Sequence, residues 1–385
     1  MPNEGDPHVA EKTTIEWCDS TFNPFIGCTK VSPGCENCYA EKLMDHRMHK
    51  VVWGAGQQRV RTSAANWRKP LQWERHAAAF QAEHGRRQRV FCASLADVFD
   101  NQVPIAWLAD FLDLCRLTQN LDKLLLTKRI GNVKPRLAAA LEYASGVMLN
   151  PRLAYWIVNW LDGDHPPADC WLGATVVNQE EADRDIPKLL ATPARVRFLS
   201  IEPMLGPVDL TRLPHDGDGA GDALAGEAWI EHWLDDAGTR RERRRAGSFG
   251  RIDWVIAGGE SGPGARPMHP DWSRSLRDQC AAAGVPFLFK QWGEWLPGQS
   301  ETHPYIMEMN GAPRSIAHHQ DGRWGETDTK ITDRNYVTWD PNGTMHAGPV
   351  NGWRAAAWAE RVGKKASGRL LDGVEHNGFY DGVGR

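Results

Sequence analysis

The chain has 385 residues, 41% hydrophobic and 24% charged, with a formal net charge of −4. That length suits one large α/β domain with insertions, or two domains. No apolar run reaches the length of a bilayer, so no transmembrane helix is expected, and the acidic balance gives no support to non-specific nucleic-acid binding.

The N-terminal Met1-Pro-Asn-Glu-Gly-Asp6 is polar and has no signal-peptide apolar region, so a cytoplasmic location is expected. In a reducing compartment the eight cysteines are expected as ligands or core residues rather than disulfides. The 18 tryptophans serve either as core filling or as stacking platforms for nucleobases.

Seven short apolar runs follow one another: Phe22–Cys28, Arg89–Ser94, Lys123–Thr127, Cys170–Thr175, Val196–Pro203, Asp253–Glu260 and Pro286–Lys290. Each is rich in branched or aromatic residues and ends in polar or glycine-rich sequence, as buried parallel strands do. Helical patterns fall between them. Pro104 suits a first helical position before Trp107, Leu108, Phe111, Leu112 and Cys115. Asp271 is the expected N-cap of a helix with Trp272, Leu276 and Cys280 on one face and Gly284 at its end. This alternation predicts an α/β fold: a full or partial (β/α) TIM-type barrel over residues 13–296, with a doubly wound open sheet as the competing architecture. Insertions are expected at about residues 141–169 and 211–250. The second ends in Arg240-Arg-Glu-Arg-Arg-Arg245, expected as a solvated surface helix or loop, or as a phosphate contact. Residues 297–385 are expected as a C-terminal extension or small cover domain.

The most specific local pattern is Cys28-Thr-Lys-Val-Ser-Pro-Gly-Cys35-Glu-Asn-Cys38-Tyr39. Cys35 and Cys38 can face one centre, and Cys28 returns to it through the turn at Pro33-Gly34. Two metal-binding readings compete, with unliganded core cysteines as a third. A structural zinc site needs four ligands, with Cys18 as the fourth, but only one short C-x-x-C hook exists. Three thiolates can instead hold an iron–sulfur cluster and leave one iron open. The loop follows the first predicted strand, and Tyr39–His46 reads as the next helix, whose N-terminal dipole would favour an anionic cluster.

Here the chain resembles the radical S-adenosylmethionine superfamily. Three cysteines after the first barrel strand of those proteins bind a [4Fe–4S] cluster whose open iron is chelated by S-adenosylmethionine. One-electron reduction then yields a hydrogen-abstracting radical. The C-x6-C-x2-C spacing departs from the commoner C-x3-C-x2-C. A closer resemblance, to a phage and prophage family of radical-SAM-like proteins, rests on a longer ordered set. It comprises Thr14-Ile-Glu-Trp17, Asn23-Pro-Phe-Ile-Gly-Cys28, Val31–Ala40, Leu125-Leu-Thr-Lys128, Ser200-Ile-Glu-Pro203, Gly258-Gly-Glu-Ser-Gly262, Ala265-Arg-Pro-Met268 and Phe289-Lys-Gln-Trp-Gly-Glu-Trp295. That resemblance implies an isomerase of thymidine hypermodification, acting on phage DNA in the host cytoplasm. It would rearrange an amino-acid substituent on thymine, for example from N-linked to C-linked glycine. A one-electron donor such as flavodoxin or ferredoxin would be a partner. A radical SAM enzyme acting on a small molecule, tRNA or damaged DNA is the alternative within the same chemistry. A zinc-stabilised nucleic-acid-binding protein is the alternative outside it.

Further site candidates lie at the predicted strand ends. Ser94 and Asp97 are expected to meet the amino group or ribose of the cofactor, or else to cap a turn. Thr127, Lys128 and Arg129 offer a cationic group for the cofactor carboxylate or a DNA phosphate, or begin a solvated helix. Glu202 is expected near ribose hydroxyls or a substrate amino group. Gly258 and Gly259 allow close approach of a ligand to the backbone. Glu260 and Lys290 are the candidate catalytic residues, Lys290 with its stem buried in a strand and a surface salt bridge as its ordinary alternative. Trp292 and Trp295 are expected as a wall for a base.

Overall fold

The computed structural model describes residues 13, 15–215, 219–231, 243–298, 305–306, 316–320, 323–326, 336–340, 342–347 and 357–381. The N-terminal Met1–Asp6, Thr14 and the Arg240–Glu242 part of the arginine run lie outside them.

Seven strands form the central sheet: β1 (Ser20–Phe22), β2 (Gln88–Cys92), β3 (Leu121–Thr127), β4 (Cys170–Thr175), β5 (Arg197–Ile201), β6 (Trp254–Ala257) and β7 (Phe287–Phe289). They lie side by side in sequence order, and every neighbouring pair is parallel. The order never reverses, as it must in a doubly wound sheet. The fold is therefore mixed α/β, with a seven-stranded parallel half-barrel flanked by helices, an arrangement compatible with a partial TIM-like barrel. Among the described residues β1 and β7 are not paired with each other.

The strands read as continuous apolar runs because both faces are covered. The period of two is nevertheless intact. Leu124, Trp171, Phe198, Trp254, Ile256 and Leu288 share the concave side with Trp17. Leu121, Leu125, Cys170, Leu172, Leu199, Val255 and Phe287 face the helices. Gly173 is the small residue that makes room inside, since a Cβ there would lie 2.4 Å from the Phe198 ring.

Six longer helices flank the sheet: α1 (Ala64–His84), α2 (Ile105–Leu117), α3 (Val133–Gly146), α4 (Pro151–Asp162), α5 (Gln179–Leu190) and α6 (Pro270–Ala283). The expected insertion at 141–169 is the end of α3 plus α4. Its Trp160 is fully buried and donates to the Pro193 carbonyl at 2.8 Å. Two helix starts differ from expectation. Pro104 is the N-cap of α2 rather than its first residue. His269 caps α6 in place of Asp271, its Nδ1 accepting the Asp271 N–H, because Pro270 takes the first helical position. Gly284 ends α6 in the left-handed conformation, at φ 63°.

The insertion between β5 and β6 is a four-stranded antiparallel sheet of Leu213–His215, Gly219–Asp222, Glu227–Glu231 and Arg243–Ser248. The described part of the arginine run is thus an edge strand, not a helix or loop. Its pairing with Glu227–Glu231 supplies the ladder, and exposed Arg245 meets Glu227 at 3.3 Å. Long, charged side chains suit an exposed edge.

A second antiparallel sheet joins Trp295–Pro297 to Ala357–Arg361, Tyr336–Trp339 and Met345–Ala347. Its core of Trp295, Val337, Trp339, Ala357 and Ala359 packs on Ala265, so it covers the loop after β6. The last described residues then return to the barrel. The Phe289 N–H donates to His376, the Gly378 N–H to Phe287, and the Trp254 indole to Gly378. Arg89 sits against the rings of Trp171, Trp254 and Phe379 and donates to the Tyr380 carbonyl. Residues 376–380 therefore line the free edge of β7 and help to fill the concave side.

Candidate active site at the strand ends

β1 ends at Phe22, earlier than the apolar run through Cys28 indicated. Phe25–Ile26 turns aside to pair with Val60–Arg61. Gly27 takes φ 109°, which glycine alone adopts freely, and its N–H donates to Leu95 after β2. Buried Arg59 fastens this region. It pairs with Asp100 at 2.7 Å, with side chains 0% and 2% exposed, and donates to Thr29 Oγ1 at 2.7 Å.

The segment holding the three cysteines is shaped by short-range rules. Ser32 Oγ accepts the Gly34 N–H at 3.0 Å and starts the turn Pro33–Cys35. A Cβ on Gly34 would lie 2.7 Å from Val177 and 3.4 Å from Pro203, so this turn rests on the ends of β4 and β5. Cys38 is the N-cap of one α-turn, Tyr39–Glu41, which widens into a π-turn at Lys42–Arg47. The regular helix expected at Tyr39–His46 is therefore a single turn with a wide continuation.

All three thiols are free, Cys35 buried and Cys28 and Cys38 half-buried. Burial pushes Cys28 up to about 12, helped by Asp97 and opposed by Arg129. Burial also raises Cys38, against the Glu41 and Ala40 amides and the Lys128 charge, which favour its thiolate. Arg129 donates to Cys28 Sγ at 3.3 Å, and the charge of Lys30 interacts with both Cys38 and Cys35. Among the described residues no three His, Cys, Asp or Glu side chains are grouped so as to hold a metal ion. Soft thiols with a cation beside them, Arg129 at Cys28 and Lys30 near Cys35 and Cys38, are the donor type that an anionic thiolate-ligated cluster takes. The cluster's ligands would be Cys28, Cys35 and Cys38.

Asp97 organises the neighbouring strand ends. It is buried and accepts from Thr127 Oγ1 at 2.8 Å, from the Lys128 and Phe99 N–H groups at 3.0 Å, and from Arg129 at 3.1 Å. Arg129 also donates to the Thr29 carbonyl at 2.6 Å. β2 and β3 are thereby tied to the cysteine segment, and Asp97 and Thr127 have little capacity left for a ligand. The Lys128 ammonium makes no hydrogen bond or ion pair among the described residues. Ser94 shares Asn23 as a partner, and its carbonyl accepts from the Tyr39 hydroxyl at 2.9 Å.

On the other side Lys290 and Glu202 form an ion pair at 2.7 Å, with side chains 17% and 19% exposed. Burial alone would lower Lys290, but Glu202, with Glu16 and Tyr39, holds it above the ordinary lysine range. Gly258 lies against both, since a Cβ there would be 3.4 Å from Lys290 Cβ and 3.6 Å from the Glu202 carboxyl carbon. Gly259 is required by packing, because a Cβ would sit 2.0 Å from the Trp292 carbonyl.

Glu260 is buried and accepts from Asn37 at 3.1 Å and from the Arg266 backbone and guanidinium at 2.6–2.9 Å. Burial would raise its carboxyl, yet Arg266 and Asn37 hold it below the usual range. Arg266 continues to Glu36 and the Pro33 carbonyl, so this fork staples the cysteine segment to β6. Trp292 and Trp295 do not form an open wall: both are buried, with indoles donating to Leu370 and Ala265.

The structure thus brings Cys28, Asp97, Thr127 and Arg129 together, and separately Glu202, Gly258 and Lys290. Glu260 joins the cysteine segment rather than Lys290. Sequence reasoning missed Asn23, Asn37, Arg59 and Arg266 as site residues. Three of these stand inside quoted motifs, Asn23-Pro-Phe-Ile-Gly, Cys-Glu-Asn-Cys and Ala-Arg-Pro-Met, so the signal was present without a physical role attached.

A family model described as a protein of unknown function (DUF5131) matches residues 12–380. The chain belongs to the DUF5131 family. No curated protein and no solved structure matches it. The family match runs through the cover sheet to the returning C-terminal residues, so barrel, insertion and cover fall within one family unit.

Proposed function

We propose that this DUF5131 protein is a radical S-adenosylmethionine enzyme built on a partial (β/α) TIM-type barrel. The finer reading is an isomerase that rearranges an amino-acid-substituted thymidine in phage DNA. The observation that carries the proposal is the placement of three free cysteines in the segment after β1, at the C-terminal edge of a parallel half-barrel. A cluster held there, with S-adenosylmethionine bound, would supply one-electron cleavage and hydrogen abstraction.

The chain's own residues divide the remaining work. Arg129, fixed by Asp97, stabilises the Cys28 thiolate through a charge-assisted hydrogen bond. The Glu260–Arg266 fork holds the Cys35–Cys38 half of the segment against β6. Lys290 stays charged beside Glu202 and can orient a carboxylate or carbonyl of an amino-acid substituent. Lys128 remains available for an anionic group. Two tests are ordered by class. The anaerobically reconstituted protein should cleave S-adenosylmethionine reductively, and Cys28→Ala, Cys35→Ala and Cys38→Ala should each abolish this; activity retained in all three refutes the proposal. Nucleoside analysis of modified phage DNA after incubation then tests the isomerisation, and an unchanged nucleoside profile rejects that finer reading.

A further inference from the structure

We infer that a cavity of about 360 Å³ on the open side of the half-barrel holds a backbone phosphate of the nucleic-acid substrate. The inference rests on the proposed action on DNA and extends it to a site outside the cysteine segment. The lining is Glu16, Gln291, Lys364, Lys365, Gly368 and Arg369. Sheet order fixes its place. Glu16 precedes β1 and Gln291 follows β7, the two edge strands, so the cavity bridges the gap between the edges.

Charge decides the ligand class. Three cations face one carboxylate in the lining, within a chain of net charge −4. Lys364 and Lys365 are exposed, and their ammonium groups make no hydrogen bond or ion pair among the described residues. Arg369 donates one guanidinium N–H to Asn377, while its Nε is buried without a partner. The two free ammonium groups, with the Arg369 charge beside them, are donors that an oxyanion oxygen would satisfy. The volume accommodates a phosphate with its sugar.

The cavity also adjoins the chemistry. Gln291 follows Lys290 directly and donates to Ser261 Oγ at 2.9 Å in the glycine-rich loop after β6. Glu16 is close enough to help raise the pKa of Lys290. A nucleotide with its phosphate in the cavity would therefore point its base or substituent towards the Lys290–Glu202 pair.

The test is fluorescence anisotropy of the full-length protein with a labelled oligonucleotide across a salt series. One neutralised phosphate predicts a contribution of roughly −0.7 to −0.9 to the log–log salt slope, hence a loss of about threefold in affinity over a fourfold rise in salt. Lys364→Glu with Lys365→Glu should weaken binding about tenfold or more at low salt and flatten the slope by roughly 0.7–0.9. Arg152→Glu, on exposed α4 surface, should leave binding close to wild type. Unchanged affinity and slope in the double variant overturn the inference, as does equal weakening by Arg152→Glu. Thymidine monophosphate competing as strongly as the oligonucleotide would also overturn it, assigning the cavity to a free nucleotide. Iron content and S-adenosylmethionine cleavage without DNA, read on the same samples, separate failure of this site from failure of the radical reading.

Discussion

Glu260→Gln probes the staple between the cysteine segment and β6. In the wild type the buried carboxylate accepts from Asn37 and three times from Arg266. The amide keeps one acceptor oxygen but loses the charge. Breaking a buried pair costs about 3–5 kcal/mol. Arg266 is 29% exposed and keeps Glu36 and the Pro33 carbonyl, so part of its charge is rehydrated. The expected loss near neutral pH is therefore about 2 kcal/mol. Its pH dependence has a definite sign. The folded-state pKa of Glu260 is depressed, so its stabilisation is present above the unfolded pKa and fades as pH falls through the folded value. Urea denaturation of wild type and variant near neutrality, and again well into the acid range, should show the difference shrinking in acid. Equal stability at neutral pH, or a difference that does not shrink, would refute this account of Glu260.

Arg129→Ala removes the partner shared by Cys28, Asp97 and Thr29, and Asp97 keeps three other donors. A stability loss of about 2–3 kcal/mol is expected, with poorer iron incorporation at equal Cys28 content; denaturation and iron assay on one sample check both. Gly259→Ala should cost about 2 kcal/mol or more, because its Cβ would collide with the Trp292 carbonyl, and a thermal melt reads it directly. Truncation after Glu375 removes, among others, the four hydrogen bonds to Phe289, Phe287, Trp254 and Arg89, and uncovers the free edge of β7. A loss of about 4 kcal/mol or more is expected, and a shortened chain with unchanged urea midpoint would contradict the role given to the tail.

The half-barrel was legible because its strands are buried on both faces, and seven apolar runs mark seven strands. The cysteine segment stood out in the sequence because its three cysteines lie within one short stretch. The contacts that hold that segment did not. Glu260 and Asn37 are 223 residues apart, as Arg266 and Pro33 are 233 apart, and no local period marks such pairs. The Arg243–Ser248 strand hid behind its charge, since an edge strand is fixed by its neighbour rather than by apolar alternation. Asp97 was found by its position after β2, but its ligand-like carboxylate proves to be spent on Thr127, Lys128 and Arg129.

The central claim is that Cys28, Cys35 and Cys38 hold an iron–sulfur cluster at the mouth of the half-barrel. Iron and sulfide content after anaerobic reconstitution tests it most directly. The account predicts about four of each per wild-type chain and their loss in every cysteine-to-alanine variant. A colourless zinc protein, or iron retained in all three variants, would contradict it.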